Sequence, residues 1–166
     1  CLLLGCCTWA VAEPRYTQND FGGVGLLQTP TARMAPAGEL SFNANRTDPY
    51  SRYSVSFQPF DWLEGSFRYT AITNREYGAE ELSGDQSFKD KAIDAKVRLL
   101  EESHWLPQVA LGARDIGGTG LFSSEYFVGN KRVGNFDLSL GLAWGYIGNR
   151  GDIDNPLGYI DDKFND

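Results

Sequence analysis

The sequence predicts an all-β fold: an antiparallel up-and-down β-barrel of the outer-membrane type, with about eight strands in this stretch of a larger protein. Three observations carry that expectation. The first is the segment from Phe136 to Tyr146. Phe136, Leu138, Leu140, Leu142, Trp144 and Tyr146 alternate with Asp137, Ser139, Gly141, Ala143 and Gly145. A period of two is that of a strand with one greasy and one polar or small face. Its length, about 9–11 residues, is that of a tilted strand crossing a bilayer, with aromatic residues at both ends. The second is that the alternation recurs along the chain. The third is that short connections follow every other strand and longer ones occupy the opposite edge, as short inner turns and longer outer loops do in such barrels.

Taken in order, residues 1–12 read as the remainder of a secretion leader. The stretch is apolar, uncharged and short, and it ends in Ala10-Val11-Ala12, the small-x-small pattern of signal cleavage. Leu3-Leu4-Gly5-Cys6 offers a rival reading, a lipoprotein signal with Cys6 lipidated. Residues 13–23 form a polar, extended lead-in, and residues 24–147 hold the barrel strands. Val24–Thr29 is a first short strand. Glu39–Thr47, Arg52–Pro59, Gly65–Ile72, Ala92–Leu100, Gln108–Arg114, Phe122–Lys131 and Phe136–Ile147 follow. Thr73–Lys91 and residues 148–166 are expected as outer loops, the last cut short, because both ends of the chain read as cut. Trp62-Leu63 and Trp105-Leu106 repeat at two short turns. Trp62 and Trp105 at one rim, with Trp144 and Tyr146 at the other, are expected as interfacial anchors.

Composition excludes several classes. The net charge is −7 with no basic cluster, which removes nucleic acid as a partner. No apolar run reaches the length of a membrane-spanning helix. All three cysteines lie in the leader, at positions 1, 6 and 7, so the rest of the chain carries no disulfide or thiol site.

No constellation for catalysis stands out, and no enzyme, cofactor or metal is expected. His104 is the only histidine and has no nucleophile motif beside it. Ile116-Gly117-Gly118-Thr119-Gly120 lacks the Lys-Ser/Thr of a phosphate loop and reads as a tight outer turn. The acidic set Glu76, Glu80, Glu81, Asp85, Asp90 and Asp94 lacks calcium-loop spacing and reads as solvated. The polar strand faces are more informative. Asn43, Asn45, Arg68, Asp94, Lys96, Arg98, Arg114 and Glu125 are expected on one side, the lumen. There they form either an internal ion-pair network or the lining of a path for a hydrophilic polymer.

Four segments carry a resemblance: Phe21–Met34 (FGGVGLLQTPTARM), Trp62–Glu64 with Phe67–Thr70, Ser83–Ala92 (SGDQSFKDKA) and Trp105–Phe122 (WLPQVALGARDIGGTGLF). Together they are similar to the YjbH family of Gram-negative exopolysaccharide and capsule biosynthesis proteins. The resemblance implies an outer-membrane β-barrel, sometimes described as a lipoprotein. It would act with outer-membrane lipid, a polysaccharide and other proteins of the pathway, as the N-terminal part of a longer chain. It supplies no catalytic residues. A membrane-embedded enzyme modifying lipid or polysaccharide, and a secreted sugar-binding β-sandwich, are the alternative readings.

Overall fold

The computed structural model describes residues 16–78, 84–148 and 153–159. Two short strands, β1 (Gly25–Leu26) and β2 (Thr29–Pro30), form a small antiparallel hairpin. Seven strands follow: β3 (Leu40–Thr47), β4 (Tyr50–Phe60), β5 (Leu63–Glu76), β6 (Ser87–Leu100), β7 (Gln108–Gly118), β8 (Ser124–Val133) and β9 (Phe136–Gly145). They pair antiparallel with their sequence neighbours in one up-and-down sheet, with β3 and β9 at its edges.

The sheet is inside out relative to a soluble β-protein. Register puts Glu64, Lys96, Gly112 and Tyr126 in one row, and Ser41, Ser56, Ser66 and Asp94 in the next. Arg52, Arg68, Thr70, Asp90 and Lys96 are almost completely buried on that face. The opposite face carries Val55, Phe67 and Ile93 in one row and Leu111, Phe127 and Leu142 in another, all exposed. Period-two alternation is satisfied with its polarity reversed.

The sheet curls around its polar face. The Phe21 ring lies 4.8 Å from the Arg52 guanidinium of β4 and 6.1 Å from the Tyr146 ring just past β9. Five inter-strand steps on a flat sheet would separate those strands by about 24 Å. The chain before β3 fills the resulting trough. Its Phe21, Val24 and Ala32 are the buried apolar residues there, against Phe122, Ile72, Ala110 and Val128.

Several expectations are corrected. The segment 24–29 is not a barrel strand: it belongs to the β1–β2 hairpin, outside the seven-stranded sheet. The expected loop 73–91 is strand at both ends, since β5 runs to Glu76 and β6 begins at Ser87. Gly117 and Gly118 are not a turn but the end of β7. Three residues, Arg114, Asp115 and Ile116, face Asp94 alone across a bulge. The two extra residues let Arg114 and Asp115 both point inward, buried to 3% and 5% exposure. Asp94 holds the bulge by accepting the Asp115 N–H at 2.8 Å. Gly118 is glycine because a Cβ there would collide with the Lys91 carbonyl.

Gly112 sits under the Tyr126 ring, which occupies the place of a side chain. Gly112→Ala is expected to destabilise the fold by about 1–3 kcal/mol through overpacking of that buried ring. Denaturant titration of the folded protein checks it.

Candidate functional site

The trough is the one place where buried charge, backbone and sheet converge. Each strand of the sheet sends a polar side chain to the N-terminal segment. Gln18 bonds Ser41 of β3. Asn45 donates to the Asp20 carbonyl at 2.8 Å, and Ser56 to the Gly22 carbonyl at 2.6 Å. Arg114 donates to the Gln28 carbonyl at 3.0 Å. Gln108 donates to the Ala32 carbonyl and Asn130 accepts the Ala32 N–H, both at 2.7 Å. An irregular segment has no ladder partners for its backbone, and these side chains supply them.

Lys96 is the centre. Its Nζ lies 3.1 Å from Glu64 Oε2 and donates to the carbonyls of Val24 at 3.1 Å and Arg33 at 2.9 Å. Glu64 Oε2 also accepts the Val24 N–H at 3.1 Å. Register places Glu64 and Lys96 directly opposite each other. The three donors of an ammonium are thus used, which is the condition under which a buried ion pair is tolerated.

At the rim that carries the short turns, Arg33 joins two carboxylates. It donates to both oxygens of Asp137, at 2.9 and 2.7 Å, and lies 2.6 Å from Glu102. Glu102 also accepts the Arg132 N–H at 2.8 Å. Burial opposes ionisation of Glu102, but that N–H and the Arg33 guanidinium outweigh it and hold the carboxyl below its ordinary range.

At the other end, three arginines surround one phenyl ring. The guanidinium carbons of Arg52, Arg68 and Arg114 lie 4.8, 4.7 and 4.1 Å from the Phe21 centroid. Arg68 pairs with Asp94 at 2.8 Å. Phe122, Tyr50 and Tyr146 pack edge-on around the ring or around one another.

The structure gathers most of the residues singled out from sequence. Asn43, Asn45, Arg68, Asp94, Lys96 and Arg114 share the inward face, and what they face is the chain's own N-terminal segment. A cleft beside Phe21, Arg114 and Tyr126 has room for about 10 Å³, one water's worth. Arg98 lies on that face at the rim and bonds Asp61 of the β4–β5 turn at 2.7 Å. Glu125 is a correction. It pairs with Ala113 and Trp144, between inward-facing Ser124 and Tyr126, so its side chain belongs to the outer face. There Asn155 donates to it at 3.2 Å. Trp62 and Trp105 sit exposed in two turns of one rim, Trp62 stacked on Phe60. Trp144, near the opposite rim, donates its indole N–H to the Ile153 carbonyl. Tyr146 is a second correction: Gly145 takes φ +71°, breaks the alternation, and turns Tyr146 inward onto Phe122. Cys6, Ala10 and Ala12, with Glu80 and Glu81, lie outside the described residues. Sequence reasoning missed Arg52, Glu64, Gln108 and Asn130. Arg52 shares the parity of Ser54 and Ser56 and was readable from it. The role of Phe21 and Arg33 left no periodic signal.

A family model described as exopolysaccharide biosynthesis protein YbjH matches residues 17–166. A protein of Escherichia coli (strain K12) named uncharacterized lipoprotein YjbH is 60% identical over 149 residues, 89% of this chain and 21% of that protein. The chain thus spans about a fifth of the length of the curated relative it matches. No solved structure matches.

Two predictions follow from the trough. Lys96→Met strands the buried Glu64 charge and is expected to cost about 3–5 kcal/mol, much of it recovered by adding Glu64→Leu. Denaturant titration of the four proteins of that cycle reads the coupling. At the rim, the Glu102 carboxyl is held below its unfolded value, so its contribution is present above the ordinary carboxylate range. It fades as pH falls through the lowered value. The stability gap between the parent protein and Glu102→Gln is therefore expected to be largest near neutrality and to close in acid.

Proposed function

The chain belongs to the YjbH family of exopolysaccharide biosynthesis proteins, and from that premise we propose that it forms part of an outer-membrane β-barrel that serves production or export of an exopolysaccharide. The observation that carries the reading is the reversed sheet. Leu138, Leu140 and Leu142 project from β9 and Val55, Phe67, Ile93, Leu111 and Phe127 from the other strands, all exposed, while arginine, lysine and aspartate are buried. In water that arrangement exposes grease and desolvates charge. In a bilayer the same faces meet hydrocarbon and a polar interior, respectively. The indoles of Trp62 and Trp105 at one rim suit the headgroup region.

The role proposed is non-catalytic. The barrel supplies a polar interior spanning the membrane, and the polymer and the other proteins of the pathway act with it. The E. coli relative is named a lipoprotein, which supports membrane attachment of this part of the chain as well.

Two outcomes are expected. In a strain lacking the full-length gene, exopolysaccharide falls at the cell surface and in the medium and accumulates in the periplasm. Unchanged polymer in every fraction contradicts the role. Independently, Leu140→Arg on the outer face is expected to destabilise the protein in lipid by about 2–4 kcal/mol if that position lies near the midplane. Unfolding from lipid vesicles measures it.

A further inference from the structure

The arginine cluster has more donors than its acceptors meet. Six buried nitrogens there lack any hydrogen-bond partner: Nε, Nη1 and Nη2 of Arg52, Nε and Nη2 of Arg68, and Nη1 of Arg114. Arg52 is 0% exposed and makes no hydrogen bond or ion pair through its guanidinium. The carboxylates nearby are each bonded elsewhere, although Asp90 Oδ2 and Asp115 Oδ1 are themselves buried without a partner. Asp94 holds Arg68 and the Asp115 N–H, Asp115 accepts the Phe122 N–H at 3.1 Å, and Asp90 accepts the Thr119 hydroxyl. A phenyl face attracts cations but accepts no conventional hydrogen bonds, so Phe21 answers the charge of the three arginines and leaves their N–H groups unmet. Planar guanidinium forks converging from β4, β5 and β7 are the donor set that recognises an oxyanion.

What occupies the oxyanion's place is Phe21. It is carried on a tight turn: Asn19 Oδ1 accepts the Phe21 N–H at 2.9 Å, and the Asn19 carbonyl accepts the Gly22 N–H at 3.0 Å. Gly22 has φ +104°, and a Cβ there would strike Ser54. The turn itself is held by three neutral side-chain bonds to its carbonyls, from Asn43 to Asn19, Asn45 to Asp20 and Ser56 to Gly22. The charged anchors at Lys96, Glu64 and Arg33 lie further along the segment, beyond Gly23. Displacing the turn therefore breaks neutral hydrogen bonds and cation–π contacts but no ion pair.

We propose that Arg52, Arg68 and Arg114 form a binding site for an oxyanion, the carboxylate or phosphate class, borne by the polymer, and that Phe21 is its closed-state occupant. This deepens the export reading and rests on it: the polymer class is acidic rather than neutral. A carboxylate entering the site replaces cation–π contacts by charge-assisted hydrogen bonds, and the Asn19–Gly23 turn swings aside with Phe21.

The test uses the full-length protein in detergent and isothermal titration with three probes: oligogalacturonate, neutral maltoheptaose and inorganic phosphate. Phe21→Ala empties the site and is expected to tighten oligogalacturonate binding by about tenfold or more, the worth of one charge-assisted bond. Adding Arg52→Gln is expected to abolish the gain, and maltoheptaose is expected not to bind. Competition by phosphate identifies a bare oxyanion as sufficient; its absence identifies the sugar acid as the recognised source. Phe21→Leu, which removes the aromatic face and part of the bulk while keeping an apolar side chain, serves if Phe21→Ala does not fold. Equal binding of oligogalacturonate and maltoheptaose, or an Arg52→Gln protein that is merely less stable with unchanged preference for the acid, overturns the site. Periplasmic trapping of polymer in the deletion strain without acid preference leaves the export role standing and removes this inference. Acid preference without a polymer phenotype does the reverse.

Discussion

A sheet whose polar face is buried must find partners for every donor and acceptor on it. That constraint organises the structure. Strand ladders satisfy the backbone, but Lys96, Gln108, Asn130, Asn45, Ser56 and Arg114 project into a space from which water is largely excluded. The segment 16–36 meets them with carbonyls and N–H groups that its own irregular path leaves unpaired. Sheet and segment are each unsatisfied alone and largely satisfied together, the arginine cluster around Phe21 excepted. The curl of the sheet, the burial of Phe21, Val24 and Ala32, and the close fit of Gly22 against Ser54 follow from that match.

The reversed polarity also decides which environment the fold suits. A β-sandwich hides its apolar face and hydrates the other. Here the rows Val55–Phe67–Ile93 and Leu111–Phe127–Leu142 are open while Arg52 and Arg68 are sealed. Under the proposed function that reversal has a use, since a chain of sugars crossing a membrane needs a polar interior.

Much of this was readable from the sequence. Alternation from Leu40 to Gly145 named the strands of the sheet and the shared face of Asn43, Arg68, Asp94, Lys96 and Arg114, because side-chain parity is a local property of a strand. What escaped was what parity does not encode. The segment 24–29 carries strand-like residues, yet its backbone pairs only within the N-terminal segment, since its other partners are side chains far along the chain. The bulge opposite Asp94 shifts β7 by non-local bonding, so Gly117 and Gly118 looked like a turn. Glu125 was assigned by its charge against its own alternation, and the alternation was right. Tyr146 kept its parity until the positive φ of Gly145 reversed it. The three unmet arginines became visible only once Phe21 was seen among them.

The central claim is that the apolar face of the sheet meets lipid while the polar face meets the chain itself. Within residues 1–166 the cysteines are confined to positions 1, 6 and 7, so single cysteines introduced elsewhere can be spin-labelled once these and any others in the full-length protein are replaced. The most direct measurement is the accessibility of labels at Phe67→Cys, Leu111→Cys and Leu140→Cys in vesicles of the full-length protein, to oxygen and to a polar nickel chelate. The account predicts high oxygen and low nickel accessibility at all three. High nickel accessibility at these positions would place the face in water and contradict it.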